Sequence, residues 1–254
     1  MRIRSLLIIF CIFLSSCQTT GREPIYSTSH GADYTDDDWN EIFYTNCVNH
    51  ANSVTWITEN NNKFLRFKLK GLQKGGCSTD KRPRHSAPFW ERAEIKQRLG
   101  FDKNVKYNIE FFVRFIQGFN GLRENFFQIH QSVIGCRNGP VVMLKFNNGI
   151  IQGDFGIAEK ILNVKENLNK WIKFNIILDF KEGIYSVKID DYNFIEERPF
   201  KEKLMSCGVP HIKFGIYRPG YKVANNTSIL DFDKFKVIEI KWKVIDLWKI
   251  IMKF

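Results

Sequence analysis

From Ala51 onward the chain runs in short stretches of alternating apolar and polar residues, cut by turn-forming residues. The clearest stretch is Val105 to Ile116, where Val105, Tyr107, Ile109, Phe111, Val113 and Phe115 alternate with a more polar set. Successive side chains of a strand point to opposite faces, so this is the period of a half-buried strand. The same reasoning predicts strands at Thr55 to Thr58, Lys63 to Leu69, Glu91 to Arg98, Asn125 to Ile134 and Val141 to Phe146. It also predicts them at Trp171 to Phe180, Ile184 to Asp190, His211 to Tyr217 and Ser228 to Ile238. Lys74-Gly75-Gly76, Asn138-Gly139-Pro140, Asn147-Asn148-Gly149, Glu182-Gly183 and Pro219-Gly220 separate them. About ten short strands in roughly 200 residues predict an all-β fold. The expected architecture is a two-sheet β-sandwich, a concanavalin-like β-jelly roll with short peripheral helices.

Both ends break this pattern. Arg2 and Arg4 precede an apolar run, Leu6 to Leu14, that is too short to span a bilayer and reads as a secretory signal. Leu14-Ser15-Ser16-Cys17 resembles the lipobox of bacterial lipoproteins, which implies a lipid on Cys17 and a membrane anchor. Residues 1–17 are therefore expected to be a lipoprotein-type signal peptide, 18–38 a polar tether and 39–254 the jelly-roll domain. The protein is expected to be exported and held at the bacterial cell envelope, or released as a periplasmic or extracellular protein. At the other end, Trp242, Val244, Ile245, Leu247, Trp248, Ile250 and Ile251 mix with lysines in an amphipathic tail. Packing on the sandwich is the expected use of its apolar face, with a membrane surface as the alternative.

Export changes the meaning of the cysteines. Outside the leader, Cys47, Cys77, Cys136 and Cys207 form an even set, which predicts disulfides without fixing their pairing. No spacing of Cys and His suggests zinc. The chain holds 38 Lys and Arg against 27 Asp and Glu, and loss of Arg2 and Arg4 with the leader takes the net charge from +11 to +9. Such a surface favours polyanions: acidic glycan, anionic lipid or nucleic acid.

Three strands carry an unusual polar face. Arg92, Glu94 and Lys96 share one side of Glu91 to Lys96, and Gln128 and His130 share one side of Phe126 to His130. His211, Lys213, Gly215 and Tyr217 share one side of His211 to Arg218. Ala93, Ile95, Phe127, Ile129, Ile212, Phe214 and Ile216 supply the opposite, apolar sides. A sheet buries its apolar face, so the polar one meets water or a ligand. Gly215 is expected to leave room beside the backbone on that face.

Arg-Ala-Glu-Ile, Gln-Ile-His and Lys-Phe-Gly-Ile-Tyr-Arg resemble the three motifs of jelly-roll polysaccharide lyases. The likeness is closest to the glucuronan lyase and heparin lyase I group and more distant to the alginate lyases. It spans about Asn40 to Ile238 and leaves out the tether, the tail and the cysteines. The resemblance implies cleavage of a uronic-acid-containing acidic polysaccharide by β-elimination, with Arg92, Gln128, His130 and Tyr217 as catalytic residues. Removal of the C5 proton builds charge on the uronate carboxylate, and hydrogen-bond donors there lower the barrier. Gln128 and Arg92 suit that task. His130 is suited to take the proton or to neutralise the carboxylate. The resemblance makes Tyr217 the acid, and a base as well for one C5 epimer.

Glu94, Lys96, Lys213, Arg218 and His85 are the expected substrate-binding residues. Arg218 ranks lower because it has the opposite parity to Tyr217 unless the strand bulges. His85 lies in the basic loop Lys81-Arg82-Pro83-Arg84-His85, read equally as a closing loop or a solvated turn. No obligatory cofactor and no catalytic metal are expected. A structural Ca²⁺ at Asp231-Phe232-Asp233 or at Asp36 to Asp38 is an alternative to plain surface carboxylates. A monomer that binds no nucleic acid is expected. Two rivals stand beside the lyase: a non-catalytic acidic-glycan-binding module, and a glycoside hydrolase on the same fold. The hydrolase needs a pair of carboxylates, and Glu94 has no acidic partner two residues on.

Overall fold

The computed structural model describes residues 26–27, 43–48, 50, 52–81, 89–119, 123–131, 140–147, 150–153, 162–163, 165–200, 208–218 and 226–240. The strands are β1 (Tyr26–Ser27), β2 (Phe43–Asn46), β3 (Val54–Glu59), β4 (Asn62–Leu69), β5 (Glu91–Gln97), β6 (Lys106–Gln117), β7 (Glu124–Gln131) and β8 (Val142–Asn147). They continue as β9 (Ile150–Gln152), β10 (Leu162–Asn163), β11 (Trp171–Asp179), β12 (Ile184–Ile189), β13 (Tyr192–Pro199), β14 (Pro210–Arg218) and β15 (Ser228–Ile240). Single 3₁₀ turns at Ser78–Lys81 and Lys165–Asn167 are the helices among the described residues. The signal, the tether (apart from Tyr26–Ser27, which pair with β15 as β1), His85, Cys136, Cys207, Asp36 to Asp38 and the C-terminal tail lie outside the described residues.

All strand pairs are antiparallel and form two sheets. One runs β13-β12-β11-β6-β15-β4-β3, with β1 also on β15; the other runs β10-β9-β8-β7-β14-β5-β2. Strands distant in sequence are neighbours, such as β6 with β15 and β14 with β5, which is the crossing-over of a jelly roll.

The alternating apolar residues meet between the sheets. Phe111 of β6 stacks on Phe127 of the facing sheet at 4.8 Å, and on Phe174 and Phe235 at 5.3 and 5.4 Å. Stacked and edge-to-face ring pairs of this kind add about 0.5–1.5 kcal/mol each beyond the area they bury.

The sheets differ on their outer sides. In β6 and β11 burial alternates residue by residue, as expected of a sheet with one wet face. β5, β7 and β14 are buried almost continuously on both faces, although one face is polar. That recessed polar floor is where the three strands of interest lie side by side.

The outer side of the first sheet also holds Asp231 and Asp233. Asp231 is fully buried, and its carboxylate accepts from Arg66 at 2.7 and 2.9 Å and from Arg114 at 2.9 and 3.0 Å. Asp233 accepts from the Asn62 amide at 3.0 Å. Asp231 is thus not a surface carboxylate: two guanidinium groups hold both of its oxygens.

Candidate active site

Strand pairing brings the three motifs into one register. Tyr217 lies opposite Arg92, Gly215 opposite Glu94 and Lys213 opposite Lys96 across β14 and β5. On the other side of β14, Lys213 lies opposite Gln128 and His211 opposite His130. Arg92, Glu94, Lys96, Gln128, His130, Lys213 and Tyr217 therefore line one face of three adjacent strands.

A bulge fine-tunes this arrangement. Between β14 and β7 the register shifts after Phe214, so that Tyr217 pairs with Asn125. Phe126 and Phe127 both pack into the core, on Phe115 and Phe111, which leaves Asn125 and Gln128 on the groove side. Gly215 has φ +128. A Cβ there would strike the Ala93 carbonyl and lie 2.7 Å from the Phe67 ring. Gly215 is thus required by the core side of the strand, rather than by room on the polar face as its parity suggested.

Glu94 is the hub of the floor. It is 1% exposed and accepts from Arg92 Nη1 at 2.7 Å and from the Gln128 amide at 2.7 Å. Arg92 also donates through Nε and Nη2 to Asp80, at 3.2 and 2.8 Å. Burial alone would weaken protonation of Arg92, but Glu94 and Asp80 outweigh it and raise its pKa above the ordinary value. The guanidinium carbon lies 4.2 Å over the Tyr217 ring, and the Trp90 ring is 5.8 Å from it. Two carboxylates thus lie in the groove, as a hydrolase would need, but both are engaged by Arg92.

The remaining floor is cationic and imidazole-rich. Burial, then Lys213, His211 and Arg92, push His130 down to about 2, so its ring is neutral at physiological pH. His211, with its ring 5.8 Å from that of His130, is lowered to about 4 by burial and by Lys96 and Lys213. Burial lowers Lys213 to about 8; Arg92 and Lys96 lower it too, while Glu94 and Asp80 oppose the shift.

Arg218 is not in this groove. It points between the sheets, 3% exposed, and donates to Glu124 at 2.7 Å, Glu91 at 3.0 Å and the Ser228 hydroxyl at 2.7 Å. Its assignment to substrate is therefore corrected. Parity holds because Ile216 and Arg218 share the inner side, and the bulge does not reverse them. Burial raises the Glu91 pKa, with Arg218 opposing the shift.

Three neighbours escaped the motif reading. Asp80 comes from a turn, where strand parity says nothing. Asn125 and Lys145 pair across β7 and β8, and Asn125 pairs in turn with Tyr217. Val142, Leu144 and Phe146 fill the core, so Lys145 faces the groove, and the same alternation in the sequence carries that signal. Of Cys47, Cys77, Cys136 and Cys207, the first two form a disulfide beside Asp80.

No protein-family model and no curated protein matches the chain. Solved structures do. The endo-β-1,4-glucuronan lyase of the fungus Trichoderma reesei superposes with a TM-score of 0.56 at 11% identity, covering 85% of this chain and 95% of that one. The alginate lyase AlgAT5 of polysaccharide lyase family 7 gives 0.53 at 11% identity over 75% and 83%. The family 7 alginate lyase A1-II′, in a variant with one His and one Tyr replaced and in complex with substrate, gives 0.53 at 13% identity over 77% and 84%. These likenesses establish the β-jelly roll that the alternating pattern predicts.

Proposed function

We propose that this protein is a polysaccharide lyase that cleaves a uronic-acid polymer by β-elimination. One observation carries the reading: Arg92, Gln128, His130, Lys213 and Tyr217 stand in register on one face of three adjacent strands. The structures with the same fold are named as lyases of glucuronan and alginate, which supports it.

In this reading the uronate carboxylate sits against the Gln128 amide, the Arg92 guanidinium and the Lys213 ammonium. All three are preorganised donors, two of them fixed by Glu94. Tyr217 delivers a proton to the leaving O4. The C5 proton goes to neutral His130 for one C5 epimer and to Tyr217 itself for the other. The Arg92 cation over its ring favours ionised Tyr217, which a phenol needs to act as a base near neutrality.

The exported, lipid-anchored location read from residues 1–17 belongs to the same proposal. The Cys47–Cys77 disulfide supports it, because such bonds persist in oxidising compartments.

The purified protein should be incubated with a panel of polyuronates while the ultraviolet absorbance of unsaturated uronate is followed. Growth of that absorbance, lost in Tyr217→Phe and in His130→Ala with the fold intact, supports the lyase. New reducing ends without absorbance point to a hydrolase. Binding without either points to a glycan-binding module.

A further inference from the structure

We infer that Asp80 is a positioning residue for Tyr217, and that the Cys47–Cys77 disulfide makes this position depend on oxidation. The inference rests on the lyase reading only for what Tyr217 does, not for how it is held.

Asp80 is fully buried, so it does not meet a substrate. It lies in the 3₁₀ turn Ser78–Lys81 and grips two different neighbours of Tyr217. Its carboxylate receives Arg92 Nε and Nη2, the fork geometry that fixes a guanidinium plane. Its backbone carbonyl receives the Trp90 N–H at 2.9 Å. Arg92 covers the Tyr217 ring at 4.2 Å and Trp90 flanks it at 5.8 Å. Two ring contacts of the proposed acid therefore hang from one residue outside the three motifs.

The segment carrying Asp80 is itself tied down. The Gly76 N–H donates to the Cys47 carbonyl at 2.6 Å, and the Gly75 N–H donates to the Trp90 carbonyl at 2.8 Å. The Cys77 N–H and the Asp80 carboxylate meet at 3.2 Å. A Cβ at Gly75 would strike the Asp80 carboxylate, so only glycine admits the aspartate so close. The covalent tie is the Cys47–Cys77 bond, which joins this segment to β2 at the edge of the same sheet. An added dithiol supplies two electrons and two protons, converts the bond to two thiols and closes to its own cyclic disulfide. Asp80 is then held without a covalent cross-link, by its ion pair with Arg92 and its hydrogen bonds.

The test is Asp80→Asn in the full-length protein, with Gly75→Ala as a second variant and dithiol-reduced wild type as a third sample. Ionisation of Tyr217 is read as tyrosinate absorbance against pH, relative to Tyr217→Phe in the same background. Turnover is read separately as kcat and KM. Release of Arg92 from the ring removes a cation that favours tyrosinate, so the Tyr217 pKa is expected to rise in Gly75→Ala and on reduction, which keep the Asp80 charge. With an active polyuronate, kcat is expected to fall about 100-fold in Asp80→Asn with KM little changed, the cost of a displaced reacting group. A Tyr217 that ionises as in wild type in folded Gly75→Ala, or an unchanged kcat in folded Asp80→Asn, overturns the positioning role. Reduction that leaves the Tyr217 pKa unchanged overturns the dependence on oxidation. If no polyuronate is turned over, the lyase reading fails, and the ionisation measurement still decides the role of Asp80.

Discussion

Replacing Glu94 with glutamine tests the groove most directly. The carboxylate is 1% exposed and joins Arg92 to Gln128 through two contacts of 2.7 Å. Glutamine keeps the volume, removes the charge and presents an NH₂ group where an acceptor stood, so one of the two donors loses its partner. A hydrogen bond to a charged group is worth about 1.5–3 kcal/mol. A loss of about 2 kcal/mol in transition-state stabilisation, at 1.36 kcal/mol per tenfold, lowers kcat/KM about 30-fold.

A second effect of Glu94→Gln concerns pH. Lys213 titrates at about 8, where burial, Arg92 and Lys96 lower it and Glu94 and Asp80 hold it up. Only its ammonium form holds a carboxylate, so kcat/KM should decline as pH rises through about 8. Without the Glu94 charge the ammonium is less favoured, and the decline should begin at lower pH. His130, pushed to about 2, stays neutral across the neutral and alkaline range and adds no limb there. Initial rates of unsaturated-uronate formation against pH, for wild type and Glu94→Gln, provide the measurement. An unshifted alkaline limb, or an unchanged rate, would refute the role given to Glu94.

Other perturbations have equally definite outcomes. Arg218→Met leaves Glu91 and Glu124 buried without their cation and should cost about 3–5 kcal/mol in urea unfolding; a loss confined to KM would return Arg218 to the substrate. Phe111→Ala removes a fully buried ring stacked on three others and should cost about 3–5 kcal/mol by the same assay, and a near-neutral result would contradict the packing described. Gly215→Ala forces a residue with φ +128 against Ala93 and Phe67. It should add about 1–3 kcal/mol of backbone strain and lower turnover by moving Tyr217, whereas unchanged melting and rate would count against the tight fit. Asp231→Asn should lower the melting temperature, and added calcium should not restore it, because the lost partners are Arg66 and Arg114.

The long alternating strands were legible because each buries one face against a common core. Val105 to Ile116 and Trp171 to Phe180 reappear almost unchanged as β6 and β11. The strands that escaped are short or lie at an edge. Tyr192–Pro199 reads Tyr-Asn-Phe-Ile-Glu-Glu-Arg-Pro, with charges where alternation would need apolar residues, and it is the outermost strand of its sheet. In the groove, parity alone placed Arg92, Glu94, Gln128, His130, Lys213 and Tyr217 on one face, because each lies in a regular run. It also hinted that Arg218 faces the other way. Asp80 was invisible, since a turn has no period and its partner is 12 residues away. Asn125 became apparent only with the bulge, which sends two consecutive phenylalanines inward.

Mounting reactive groups on neighbouring strands turns the sheet into a ruler. Adjacent strands stand about 4.8 Å apart, and same-side residues along one strand about 6.8 Å apart. Those intervals are comparable to the span of a single pyranose, so a sugar laid on the floor meets groups from different strands at its different positions. The graduations are hydrogen-bonded backbone and do not stretch. Selection for a different polymer would therefore alter what borders the ruler more readily than the marks upon it.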